Sequence, residues 1–213
     1  MSITKFFFKQ KTAYEVRLSL VGSATSSGAV SISSADAGTS GVSGGMTLDT
    51  GSATSGDSGS VGISTGTASG GAGGAISMTV GAGDTGDGGQ VSVEAGYTSS
   101  IYGLGGDVVV SAGRSLLNRG GDIVMSSGVG AATSSGAVSI VTADAGTSGV
   151  SGAMTLATGT STNGKSGALV MSSGSANGGS GGAISLTVGT GNTGTGGLVS
   201  ITAGETTAAN AVG

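Results

Sequence analysis

Large apolar residues recur along this chain in pairs two positions apart, with a polar or small residue between the two members except where Val109, Val124 and Val170 intervene. Twelve such pairs run from Val30/Ile32 through Met46/Leu48, Val61/Ile63, Ile76/Met78, Val91/Val93, Val108/Val110, Ile123/Met125, Val138/Ile140, Met154/Leu156, Leu169/Met171 and Ile184/Leu186 to Val199/Ile201. A period of two places both members on one face of an extended strand. The next position on that face is small or β-branched, as at Thr50, Thr65, Val80, Ala95, Thr142 and Val188. Ser and Thr take most of the opposite positions, as in Ser77/Thr79 and Ser185/Thr187. A glycine closes most segments (Gly51, Gly66, Gly81, Gly96, Gly113), and Ser-Gly or Gly-Gly opens the next (Gly88-Gly89, Gly120-Gly121). Glycine at those places permits tight turns at no steric cost.

The spacing of the pairs is close to 15 residues, and fixed-period self-similarity predicts a repeat architecture. The expected fold is all-β: a single-domain parallel β-solenoid of about 12 rungs with one repeat per coil. Two-strand coils of about 30 residues are the alternative. A longer period lies over the short one. Residues 25–32 (TSSGAVSI) return at 133–140, and residues 35–44 (ADAGTSGVSG) return unchanged at 143–152. Both recurrences have an offset of 108 positions, or seven repeats, which reads as duplication of a block. An odd number of repeats would exchange the two sheets of a two-strand coil, which favours one repeat per coil. Residues 24–213 are thus expected to form the array.

Composition narrows the options. Of 213 residues 48 are Gly, none is Pro, Cys, His or Trp, and 8% are charged. Glycine and serine at this level characterise flexible linkers, yet a linker has no reason to place apolar pairs at a fixed interval. The absence of proline and of a three-residue glycine period excludes collagen. With a net charge of −4 and seven basic residues, the chain is not expected to bind nucleic acid. No stretch approaches 18 apolar residues, so no membrane-spanning helix is expected. Without cysteine there is neither a disulfide nor a thiolate metal site.

Residues 6–15 (FFFKQKTAYE) break every pattern found downstream and hold all three Phe. They resemble the translation of a poly-T run followed by a sequencing-library index primer. Ser19-Leu20-Val21-Gly22-Ser23 resembles the transposase adapter that comes after the index. Val16 departs from that primer. The resemblance covers residues 6–23 and implies that residues 1–23 are a non-native segment, to be set aside from functional reasoning. Both ends of the array read as cut, with the native protein expected to be longer.

Candidate chemistry is sparse. Gly83-Asp84-Thr85-Gly86-Asp87-Gly88-Gly89 faintly resembles the glycine/aspartate repeat of calcium-binding β-rolls, but its counterparts in the second block are Asn192 and Thr195. A calcium site needs a regular array of oxygen ligands. Asp107 and Asp122 hold the same position in successive repeats and form the one candidate carboxylate pair, of the kind that glycan-cleaving β-helix enzymes use. No third acidic or basic partner lies in register with them. Asp49, Asp57 and Glu94 become Ala157, Lys165 and Thr202 in the second block, and no His or Cys is present as a base for a serine nucleophile. No enzyme activity, catalytic residue, cofactor site or metal site is therefore expected. The only bulky turns, residues 97–106 and 114–121, carry Tyr97, Ile101, Tyr102 and Leu104, and Arg114, Leu116, Leu117 and Arg119. They would make either a small contact site or a loop packed on itself, and the second is favoured.

The whole resembles glycine-rich repetitive β-solenoids of the structural, surface type. That resemblance implies a non-enzymatic structural or adhesive segment of a larger secreted or cell-surface protein, with end-to-end self-association or surface and glycan contacts. The outward columns Ser31/Ser33, Ser77/Thr79, Ser139, Ser185/Thr187 and Ser200/Thr202 resemble the hydroxyl ladders of solenoid antifreeze proteins, which makes ice binding the alternative.

Overall fold

The computed structural model describes residues 29–205. The adapter-like stretch lies outside the described residues. The chain divides into two units, Met1–Val108 and Val109–Gly213.

In the first unit, extended segments alternate with bends at residues 39–41, 54–56, 69–71 and 84–86 and a turn at 101–102. In the second, the bends fall at 116–118, 131–133, 147–149, 162–164, 177–179 and 192–195. The 15-residue interval of the sequence is thus an interval of the backbone. It lengthens between the bend at 84 and the turn at 101, where the longer turn 97–106 intervenes. The block duplication is structural as well. Gly41, Gly56 and Gly86 have φ of +153°, +102° and +82°, and Gly149, Gly164 and Gly194, each 108 positions on, have +152°, +134° and +80°.

Each bend lies inside a loop whose two ends meet. The small residue that ends one extended segment faces the glycine that opens the next. The facing pairs are Ser34/Gly44, Thr50/Gly59, Thr65/Gly74, Val80/Gly89 and Ala95/Gly106 in the first unit. In the second they are Ala112/Gly121, Ser127/Gly136, Thr142/Gly152, Thr158/Gly167, Ser173/Gly182 and Val188/Gly197. A methyl group placed on any of these glycines would stand 2.6 to 3.8 Å from the facing side chain. At Gly89 and Gly197 the facing valine occupies the space of a Cβ, at 2.6 Å, whereas at the other closures a Cβ would meet its partner at ordinary contact distance. Three closures carry a backbone bond: Gly106 N–H donates to Gly96 O (2.8 Å), Gly121 N–H to Gly113 O (2.9 Å) and Gly136 N–H to Gly128 O (2.9 Å). Two carry a side-chain bond instead, with the Thr50 and Thr65 hydroxyls donating to Gly59 O and Gly74 O, both at 3.2 Å. Loops of this length with touching ends are compact Ω-type turns.

The expected β-solenoid is not what the chain forms. Among the described residues there is no helix and no strand, hence neither 15-residue rungs nor two-strand coils of about 30 residues. The backbone bonds that do exist each close a turn or a loop, and none joins an extended segment to its counterpart in another repeat. The apolar pairs remain in water: Ile32 is 76% exposed and Val93 70%. The physical reason lies in the repeat itself. Two large side chains in fifteen residues bury too little to offset the ordering of a backbone rich in glycine, the residue that loses most freedom on folding. What survives is the local contact between a small side chain and a nearby glycine, which needs only a short loop to close.

Candidate functional site

The bulky turn 97–106 is built from its own hydroxyls. Thr98 Oγ1 accepts from Ser100 N–H (3.1 Å), and Ser100 Oγ accepts from Tyr102 N–H (3.4 Å). Ser100 O accepts from Gly103 N–H (3.2 Å). These short-range bonds replace ladder bonds with local ones, as Ser and Thr do in turns. The turn holds its backbone but covers none of its bulky side chains: Tyr97, Ile101, Tyr102 and Leu104 are all about nine-tenths exposed. The expected loop packed on itself is therefore absent from this turn.

In the second unit, Ser115 Oγ accepts from Asn118 N–H (3.0 Å), which turns the chain through the bend 116–118. Leu116 and Leu117 point into solvent. Arg119 forms an ion pair with Asp122 three residues later, and both side chains are largely exposed. The sequence offered Asp122 as one half of a carboxylate pair with Asp107. The structure gives Asp122 a guanidinium partner within its own turn, while Asp107 belongs to the first unit. The i,i+3 interval between Arg119 and Asp122 was readable in the sequence, and the pair is the ion pair among the described residues.

The aspartate-rich turn 83–89 has an informative counterpart. Thr85 Oγ1 donates to Asp84 Oδ1 at 3.4 Å. At the same place in the second block, Thr193 Oγ1 donates to Asn192 Oδ1 at 3.1 Å. A carboxylate and a neutral amide do the same work, so the oxygen is used to hold the turn and its charge is not needed. Among the described residues, no group of three His, Cys, Asp or Glu side chains is placed to hold a metal ion.

Charge is unevenly distributed. Residues 29–108 hold seven carboxylates (Asp36, Asp49, Asp57, Asp84, Asp87, Glu94, Asp107) and no basic residue. Residues 109–205 hold three carboxylates (Asp122, Asp144, Glu205) and three bases (Arg114, Arg119, Lys165). The described part of the first unit is acidic and that of the second is neutral. Of the hydroxyl columns, Ser185 Oγ and Thr187 Oγ1 approach to 3.4 Å and both are exposed.

Among the described residues, no helix is long and apolar enough to cross a membrane. No protein-family model, curated protein or solved structure matches this chain.

Proposed function

We propose that this repeat array is a non-enzymatic structural or adhesive segment of a secreted or cell-surface protein. One observation carries the reading: the same loop closure recurs through both units and leaves the large apolar residues open to solvent. Between the two blocks the closures and three of the positive-φ glycines persist, Gly178 alone lacking a positive-φ counterpart at Gly70, while charged positions change, Asp57 to Lys165 and Glu94 to Thr202. What duplication has kept is the spacing of contacts, not a constellation of reactive groups. Exposed apolar side chains at regular intervals favour association with surfaces or with other copies. Sedimentation of the full chain over a range of concentrations tests this reading. Association that grows with concentration is expected, and a monomer at every concentration, with no retention on hydrophobic or glycan-coated surfaces, would overturn it. Glycan turnover that disappears in Asp107→Asn would replace it with an enzyme.

Ice binding is the second reading, supported by the exposed Ser185–Thr187 hydroxyl pair. Shaping of ice crystals by the full chain, lost when both residues are exchanged for lysine, would bring that reading to the front.

A further inference from the structure

Four asparagines lie among the described residues, and they differ in the residue next along the chain. Asn163 and Asn177 precede glycine, whereas Asn118 precedes Arg119 and Asn192 precedes Thr193. Asn163-Gly164 sits in the bend 162–164 and Asn177-Gly178 in the bend 177–179, and all four residues are exposed. Gly164 has φ of +134° and Gly178 of +90°, conformations that side-chain-bearing residues rarely adopt. Around Gly178 nothing lies within 4 Å of where a Cβ would be, and around Gly164 only Ser161 Oγ does, at 3.7 Å. Among the described residues, neither glycine amide donates a backbone hydrogen bond. Each pair therefore combines an uncommitted amide nitrogen, an adjacent carboxamide in water and a backbone with the freedom to bring them together.

We propose that Asn163-Gly164 and Asn177-Gly178 are sites of spontaneous deamidation, with water as the only co-reactant. The glycine amide nitrogen, on losing its proton, attacks Asn Cγ. A new N–C bond closes a five-membered succinimide, the carboxamide C–N bond breaks, and the departing amide leaves as ammonia with the proton returned to it. Water then opens the ring. Addition at Cγ leaves aspartate in the normal linkage; addition at the main-chain carbonyl leaves isoaspartate, with one extra carbon in the backbone. No oxidation or reduction is involved.

The two other asparagines are internal controls. A side chain on the residue after asparagine crowds the nucleophile and narrows its φ and ψ. Asn192 Oδ1 also accepts from the Thr193 hydroxyl, which holds its carboxamide in the turn. Both reactive sites fall within closed loops, between Thr158 and Gly167 and between Ser173 and Gly182. Reaction at both adds two carboxylates to the unit that carries no net charge, and the isoaspartate product adds one carbon to the backbone of a closed loop.

The test is to age the full chain at mildly alkaline pH and track each asparagine by peptide mapping, with isoaspartate detected by enzymatic carboxyl methylation. Asn163 and Asn177 are expected to convert at least about tenfold faster than Asn118 and Asn192, a ratio equal to about 1.4 kcal/mol of barrier. Isoaspartate should be the main product. Gly164→Ala and Gly178→Ala should each slow conversion at their own site alone. Equal rates at all four asparagines, or conversion unaffected by either glycine substitution, would overturn the proposal.

Discussion

Gly89 lies so close over Val80 that a Cβ on the glycine would stand 2.6 Å from the valine Cγ1, and Gly197 repeats the relationship over Val188 at the same 2.6 Å. These are the tightest of the closures that meet a side chain. Among the described residues, Val80 and Val188 are also the least exposed of the large apolar side chains, at 43% and 41%. Gly89→Ala forces the valine off its rotamer, at about 0.5–1.5 kcal/mol. The expected result is loss of the nuclear Overhauser contact between residue 89 and the Val80 methyls, with the neighbouring loops unchanged. Val80→Ala in the same chain restores the approach.

Gly86 and Gly194 share a left-handed backbone, with φ of +82° and +80°. Alanine at either position carries a penalty of about 1–2 kcal/mol and should shift the resonances of the whole bend. Gly81→Ala is the control, since its backbone is not left-handed and nothing lies within 4 Å of its missing Cβ. Equal perturbation at positions 81 and 86 would refute the conformational argument.

Amide exchange should pick out the bonded closures. Gly106, Gly121 and Gly136 donate backbone bonds across their loops, so their amides should exchange more slowly than those of Gly89 or Gly197, whose closures carry no backbone bond. Far-ultraviolet circular dichroism of the full chain should lack the signature of a sheet. Uniformly slow exchange along the apolar segments would restore the ladder that the structure does not contain.

The Arg119–Asp122 pair is open to solvent and should matter little. Arg119→Ala is expected to change stability by no more than about 1 kcal/mol. The Gly121–Gly113 bond, which closes the same loop, should persist by amide exchange. Loss of that protection would show that the ion pair, and not the glycine contact, holds the turn.

Much of the chain's periodicity was legible in its sequence. The 15-residue interval, the 108-residue recurrence, the longer turn 97–106 and the glycines that flank most segments reappear in the backbone. The sheet does not, because alternation such as Ile76-Ser77-Met78 states which residues would share a face but says nothing about what covers it. Burial is a property of the partner, and here the only partner close at hand is the chain's own next glycine. That contact had a signal too. The small third residue and the second opening glycine, as in Thr65 and Gly74, stand at a nearly constant interval, nine residues in this case. Asp107 and Asp122 occupy equivalent repeat positions. Equivalence in a repeat implies proximity only when repeats stack, whereas Arg119 reaches Asp122 through three residues of chain. The Thr85 and Thr193 bonds need only an oxygen, which Asp84 and Asn192 both supply, so the charge pattern of the sequence carries no signal for them.

The closures have a consequence for how such a chain changes over generations. Each one joins the end of one extended segment to the start of the next, so an exchange between equivalent positions of two repeats leaves every loop whole. Residues 35–44 and 143–152 are identical, and sequences that similar can align out of step when genetic material recombines. Gain or loss of a whole block by that route would deliver a chain in which every remaining glycine still meets its small partner. The length of the array is free to drift, while the grammar of each repeat is not.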